Sequence, residues 1–144
     1  MRNGLPIVKE FEGCKLQAYP DPATGGAPWT IAWGRTKGVK KGDTCTQAQA
    51  DAWLNEEYDE FESAVIKALG GARTTDNQLG AMVCFAYNCG VANLKSSTLL
   101  RKHKAGDYAG AAKEFARWNK AGGRVLPGLT RRRAAEAKLY ARDL

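Results

Sequence analysis

Residues Thr46 to Gly71 read TQAQADAWLNEEYDEFESAVIKALGG. Thr46 and Gln49 form a Thr-x-x-Gln capping box, in which a hydroxyl and an amide satisfy orphan backbone donors at a helix start. Leu54, Tyr58, Phe61, Val65 and Leu69 then recur every three or four residues and fall on one face of an α-helix. Glu56, Glu57, Asp59, Glu60 and Glu62 are assigned to the exposed face, and Gly70 with Gly71 ends the helix. The spacing predicts one helix of about 23 residues and ~35 Å. A helix of that length, with a different pattern on either side of it, can connect two lobes.

On its N-terminal side, Leu5, Ile7, Val8 and Phe11 have near-helical spacing, and Gly13 follows in a C-cap position, so Glu12 sits at the end of a short helix. From Lys15 to Thr36 the pattern changes. Leu16, Ala18 and Tyr19, then Trp29, Ile31 and Trp33, flank a Pro/Gly-rich stretch from Pro20 to Pro28, which predicts a hairpin or small sheet with a long turn. On the C-terminal side the chain reads as a helical bundle. Thr75 and Gln78 repeat the capping box before Leu79, Met82, Val83, Ala86 and Tyr87, and Gly90 stops that helix. A short helix follows Ser96 or Ser97, another runs from about Asp107 to Trp118, and a last one covers roughly Leu129 to Leu144. The expected fold class is α+β: an N-terminal lobe of about 1–45 with a short β-sheet, a connecting helix of about 46–69 and a helical lobe of about 70–144. A cleft between such lobes is where ligand sites usually form.

With 144 residues and 44% hydrophobic content, the chain suffices for one domain with a substantial core. Its longest stretch without formal charge, Asn77 to Leu94, contains Asn77, Gln78, Asn88, Asn93 and glycines and reads as a core helix, so no integral membrane association is expected. The N-terminus lacks the long apolar region of a signal peptide, so for a complete chain the expectation is a protein made and kept in a cytoplasm. Cys14, Cys45, Cys84 and Cys89, with His103 as sole histidine, make a poor zinc pattern. No metal is expected, and the thiols read as small core hydrophobes, with a Cys14–Cys45 disulfide as the alternative. The net charge of +7 is uneven: residues 1–94 carry 9 basic and 11 acidic side chains, or −2, and residues 95–144 carry 13 and 4, or +9. A basic half favours an anionic partner such as nucleic acid, membrane headgroups or a cell wall. Arg131, Arg132 and Arg133 resemble a nucleic-acid patch, but consecutive helical residues spread over about 200° and cannot share one groove. With no nucleic-acid module in the chain, nucleic acid is not the expected partner.

Chemistry concentrates in Phe11-Glu12-Gly13, Tyr19-Pro20-Asp21 and Trp29-Thr30-Ile31-Ala32-Trp33-Gly34. One carboxylate lies at a helix end, another in the adjoining turn, and a hydroxyl on the next strand. Two carboxylates and a hydroxyl at such a junction suit glycosidic hydrolysis, in which a protonated carboxyl donates to the leaving oxygen and an ionised one helps a water attack. Spacing alone is weak support, since acidic pairs nine residues apart are common. The segment, however, resembles the active-site signature of the bacteriophage-type lysozymes, glycoside hydrolase family 24: Phe-Glu-Gly, an Asp nine residues after the Glu, then Thr-Ile-Gly-Tyr-Gly. The resemblance continues through Phe85-Ala86-Tyr87-Asn88-Cys89-Gly90 and through Phe115–Asn119, Ala121–Leu129 and Arg131-Arg132-Arg133 with Glu136.

The resemblance implies a lysozyme-like fold and an endolysin muramidase that cuts the β-1,4 bond between N-acetylmuramic acid and N-acetylglucosamine in bacterial peptidoglycan, by inversion and without cofactor. Glu12 matches the acid, and Asp21 with Thr30 matches the pair that positions the water. Asn88, Arg35 and Arg132 are the implied substrate-binding residues. A monomer is expected, held in the host cytoplasm until a holin releases it to the wall. Three departures stand out. Eight residues separate Asp21 from Thr30, more than in compact relatives, so Pro22 to Pro28 must hold a larger turn. Ala32 and Trp33 replace Gly and Tyr of the strand motif, and Arg35 stands where relatives often have His, a permanent cation in place of a titratable one. The alternatives are a lytic transglycosylase, which needs no positioned water, and a catalytically silent wall-binding protein.

Overall fold

The structure, a computed structural model, describes residues 2–22, 24–142 and 144. Its architecture is α+β. In chain order the elements are α1 (Leu5–Glu12), β1 (Lys15–Tyr19), β2 (Thr30–Ala32), α2 (Gln47–Leu69), α3 (Asp76–Cys89), α4 (Val91–Ser96), α5 (Thr98–Lys104), α6 (Tyr108–Glu114), a 3-10 turn (Phe115–Arg117), β3 (Lys120–Ala121), β4 (Arg124–Val125) and α7 (Pro127–Tyr140). The chain forms two compact units: Val8–Asp59, and the residues before Val8 together with Glu60–Leu144. The divisions fall inside α1 and α2. In α2 the cause is visible in its stripe, whose early residue Ala50 joins the core of the first unit, whereas Phe61 packs on Tyr87 at 5.2 Å in the second.

In the Val8–Asp59 unit, Gly13 ends α1 at φ +64, its amide bonded to the Lys9 carbonyl at 3.2 Å. β1 and β2 pair antiparallel, with Lys15 opposite Ala32 and Tyr19 opposite Thr30. A returning segment borders β1, where the Ala18 amide donates to the Asp43 carbonyl at 2.8 Å and the Cys45 amide to that of Leu16 at 2.9 Å. The long turn is closed by Asp21 N–H donating to the Gly26 carbonyl at 2.9 Å and by the Thr24 hydroxyl on the Ala27 carbonyl at 2.9 Å. Thus the insertion between Asp21 and Thr30 is folded upon itself. Ile31, Ala32 and Ala50 form the core, with Cys14, Ala18, Trp33, Val39, Cys45 and Trp53 packed around them.

In the second unit α3 is buried from Gly80 to Ala86 and packs chiefly against α7 and α4, as expected of a helix that is apolar nearly all round. Thr75 and Gln78 complete the reciprocal capping box. Phe85 meets Phe115 at 5.9 Å and Trp118 at 5.3 Å, both edge-on. The anticipated Asp107–Trp118 helix is shorter, since after Glu114 it tightens into the 3-10 turn, a frequent helix ending. The last helix starts earlier than Leu129, at Pro127, whose fixed φ and missing N–H suit a first helical position.

Candidate active site

Glu12 ends α1 half-buried, with its carboxylate lying against Gly34. A Cβ at position 34 would stand 2.6 Å from Glu12 Oε1 and 3.0 Å from its Cδ, and Gly34 holds φ +85. The positive φ favours glycine here, and a Cβ would oblige the Glu12 carboxylate to move. Thr30 opens β2 directly opposite Tyr19, and paired residues on neighbouring strands present their side chains to the same face. Burial pushes the Tyr19 phenol above its usual range, the Glu12 charge adds to this, and a hydrogen bond from the Thr30 hydroxyl works against it. Glu12, Tyr19 and Thr30 therefore lie together. Asp21 follows Tyr19 by two residues, half-buried at the head of the closed turn. Sequence reasoning quoted Tyr19 within its motif but gave it no role. The signal was its cross-strand position, which becomes visible only once the register is known.

The motif departures have local consequences. Ala32 takes φ +57, the left-handed conformation natural to the glycine it replaces, while its methyl is 1% exposed in the core. The indole N–H of Trp33 donates to Asp51 at 2.9 Å, tying the β2 turn to α2, and Lys9 stands over its ring at 5.6 Å. These contacts and the Gln47 amide hold the Asp51 carboxyl below its usual range, the Trp33 bond contributing most. Arg35 donates to Glu57 at 2.7 Å and lies over Trp53 at 4.6 Å. This corrects the assignment of Glu57 to the exposed face: it is half-buried because it neutralises a guanidinium. Arg35 and Trp53 also line a recess of about 280 Å³ with Val39, Asp43 and Thr44.

The remaining expected residues belong to the second unit. Asn88 is exposed in the last turn of α3, its oxygen 3.6 Å from Cys89 Sγ. Arg132 is 3% exposed and bound internally to Glu136 at 3.4 Å and to the Cys84 carbonyl at 3.3 Å, which makes it an interior strut of its unit. Arg133, 0% exposed, pairs with Glu136 at 2.7 Å and also donates to Cys89 Sγ at 2.6 Å. Of the four free thiols Cys84 is buried and the other three are half-buried, Cys14 and Cys45 against the core of the first unit.

Residues 9–136 match the family model described as phage lysozyme. The chain belongs to the phage lysozyme family. It is 39% identical over 141 residues to the endolysin of Acyrthosiphon pisum secondary endosymbiont phage 1, covering 95% of this chain and 94% of that one. It is 41% identical over 138 residues to the endolysin of Bacillus phage PZA, with 95% of this chain aligned but 53% of the relative, so it spans about half the length of that protein. The muramidase domain of SpmX from Asticaccaulis excentricus superposes with a TM-score of 0.86 at 32% identity, covering 98% of this chain and 96% of that one. The fold of this phage lysozyme family member is accordingly lysozyme-like.

Proposed function

We propose that this chain is an endolysin muramidase that hydrolyses peptidoglycan, with Glu12 as general acid and with Asp21 and Thr30 holding the attacking water. Family membership and the endolysin and muramidase relatives make it a peptidoglycan-cleaving glycoside hydrolase. The observation that carries the residue assignment is the seating of the Glu12 carboxylate against Gly34, where a side chain would displace it, beside the Tyr19–Thr30 pair. In this reading Glu12 gives its proton to the glycosidic oxygen as the C1–O bond breaks. The water held by Asp21 and Thr30 bonds to C1 from the opposite face and passes its proton to Asp21, which inverts the anomeric centre. Asp21 then releases that proton to solvent and Glu12 takes one up, which returns both carboxyl groups to their starting states. The bond cut is the β-1,4 link between N-acetylmuramic acid and N-acetylglucosamine.

The test is digestion of purified peptidoglycan with mass analysis of the products. Reducing muramic ends support hydrolysis, and anhydro ends would overturn it in favour of a transglycosylase. Glu12→Gln should lower cleavage by at least ~10² with folding intact, because it removes the proton and little volume. The same reading makes the enzyme a monomer that reaches the wall from the host cytoplasm when a holin opens the membrane. Sedimentation tests the first part. Induction with and without a holin tests the second, and lysis by the chain alone would sink it.

A further inference from the structure

From Asn77 to Gly106 the chain contains no Asp or Glu, yet it carries Lys95, Arg101, Lys102 and Lys104. Lys102 is ion-paired to Glu114 at 3.4 Å. Lys95, Arg101 and Lys104 are exposed and have no ion-pair partner among the described residues. All three line one recess of about 310 Å³ between α4 and α5, together with Ser96, Ser97 and Leu100. The Ser97 hydroxyl is committed internally, donating to the Leu94 carbonyl at 2.6 Å and accepting from the Leu100 amide at 3.1 Å. The chemistry facing the recess is therefore dominated by cations. Three like charges around a concavity repel one another, and a concave low-dielectric wall focuses their field, so the arrangement favours an anion among them.

We propose that the Lys95–Arg101–Lys104 recess binds phosphodiester groups of an anionic polyol-phosphate polymer of the cell wall. A guanidinium fork takes two oxygens of one phosphodiester, and the two ammonium groups, on flexible stems, meet its neighbours along the polymer. A lipid surface fits less well. The large exposed apolar residues, Leu16, Ile66, Val125, Leu126 and Leu144, do not line this recess, so nothing within it would enter an acyl layer. The choice of a wall polymer rests on the wall-lytic reading above, but the binding test involves no catalysis, so the two readings fail separately.

The full chain, isotopically labelled, is titrated with a synthetic glycerol-phosphate oligomer, with inorganic phosphate and with vesicles containing phosphatidylglycerol, at low and raised salt. Chemical-shift changes should centre on Lys95, Ser96, Arg101 and Lys104 for the oligomer. The Lys95→Gln, Arg101→Gln, Lys104→Gln triple variant should bind it about tenfold or more weakly, the loss expected for a few charge-assisted hydrogen bonds. Cleavage of a short uncharged oligosaccharide should not change. Exposed side chains make misfolding of the variant easy to detect by its melting curve, and shift mapping on the unsubstituted chain decides the matter if it misfolds. Equal affinity of a folded triple variant, shifts centred on other basic residues, inorganic phosphate matching the oligomer, or vesicles binding in its place would each overturn the proposal.

Discussion

Replacing Gly34 with alanine would put a methyl 2.6 Å from where Glu12 Oε1 lies and force a side chain into φ +85. A shift of the carboxylate by about 1 Å is worth about 10²-fold in turnover, so Gly34→Ala should lower kcat by that order. KM should change far less, and steady-state kinetics on a soluble oligosaccharide separates the two. Tyr19→Phe removes the oxygen that the Thr30 hydroxyl bonds and leaves the ring. We expect kcat to fall by roughly 5- to 10-fold, milder than Gly34→Ala because Glu12 keeps its seat. An unaltered pH profile and kcat would assign Tyr19 to packing alone. Ala32→Gly tests a balance. Relief of a left-handed alanine gains about 1 to 2 kcal/mol, while the buried methyl loses about 0.8 and glycine's chain entropy about 0.5 to 1. Urea denaturation should therefore find a net change below about 1 kcal/mol, and a larger loss would mean that the methyl packs more tightly than its area suggests.

On α7, Arg132 and Arg133 converge on Glu136, which is fully buried. Burial raises the Glu136 carboxyl above its usual range, and the two guanidinium groups pull it back. Removing one partner from a buried ion cluster leaves charge uncompensated, so Glu136→Gln should cost about 3 to 5 kcal/mol in chemical denaturation. A loss under about 1 kcal/mol would show that water reaches the cluster. That the arginines pair inward was legible in the sequence only as an i,i+3 and i,i+4 spacing to Glu136. Their burial was not, because periodicity treats every arginine as solvated. α2 and the α3 capping box were readable from end to end because stripe, cap and stop agree. α4 was missed because Gly90, at φ +91, ends one helix and the next begins at the following residue. The β3–β4 hairpin was also missed, although Gly122 and Gly123, at φ +58 and +77, are the glycine pair that a two-residue hairpin turn favours. Glu12, Asp21 and Thr30 were readable as chemistry through resemblance. Tyr19 and the Arg35–Glu57 pair depend on strand register and on α2's rotation about its axis, which side-chain pattern alone does not determine.

The charge imbalance of −2 against +9 should make wall digestion fall with added salt, because screening shortens the reach of attraction to ~8 Å at physiological ionic strength. Cleavage of an uncharged oligosaccharide should be less affected, and equal sensitivity would move the effect from encounter to the active site. Stability should depend on pH through different groups. His103 is 1% exposed, with Nδ1 at 2.5 Å from the Tyr140 hydroxyl and Nε2 at 2.9 Å from that of Thr74. Burial lowers its pKa below the usual 6.5, a hydrogen bond at the Arg73 backbone opposing this. The unfolded chain thus binds the proton more readily than the folded one, so stability is lost as pH falls below 6.5. Asp51, also lowered, adds loss in the same direction at more acid pH, whereas Glu136, raised, opposes it. On the alkaline side burial raises the Cys84, Cys89 and Cys45 thiols above the usual 9.0. For these the unfolded chain loses protons first, so stability declines as pH rises past 9.0. The melting temperature should therefore be flat between these limits and fall on both sides. His103→Gln keeps polar atoms near Thr74 and Tyr140 but cannot titrate. It should flatten the acid limb at pH 5 to 6.5, roughly the window of a histidine, and leave the alkaline limb as it is. An acid limb of unchanged slope in a folded His103→Gln variant would shift the cause to the carboxylates.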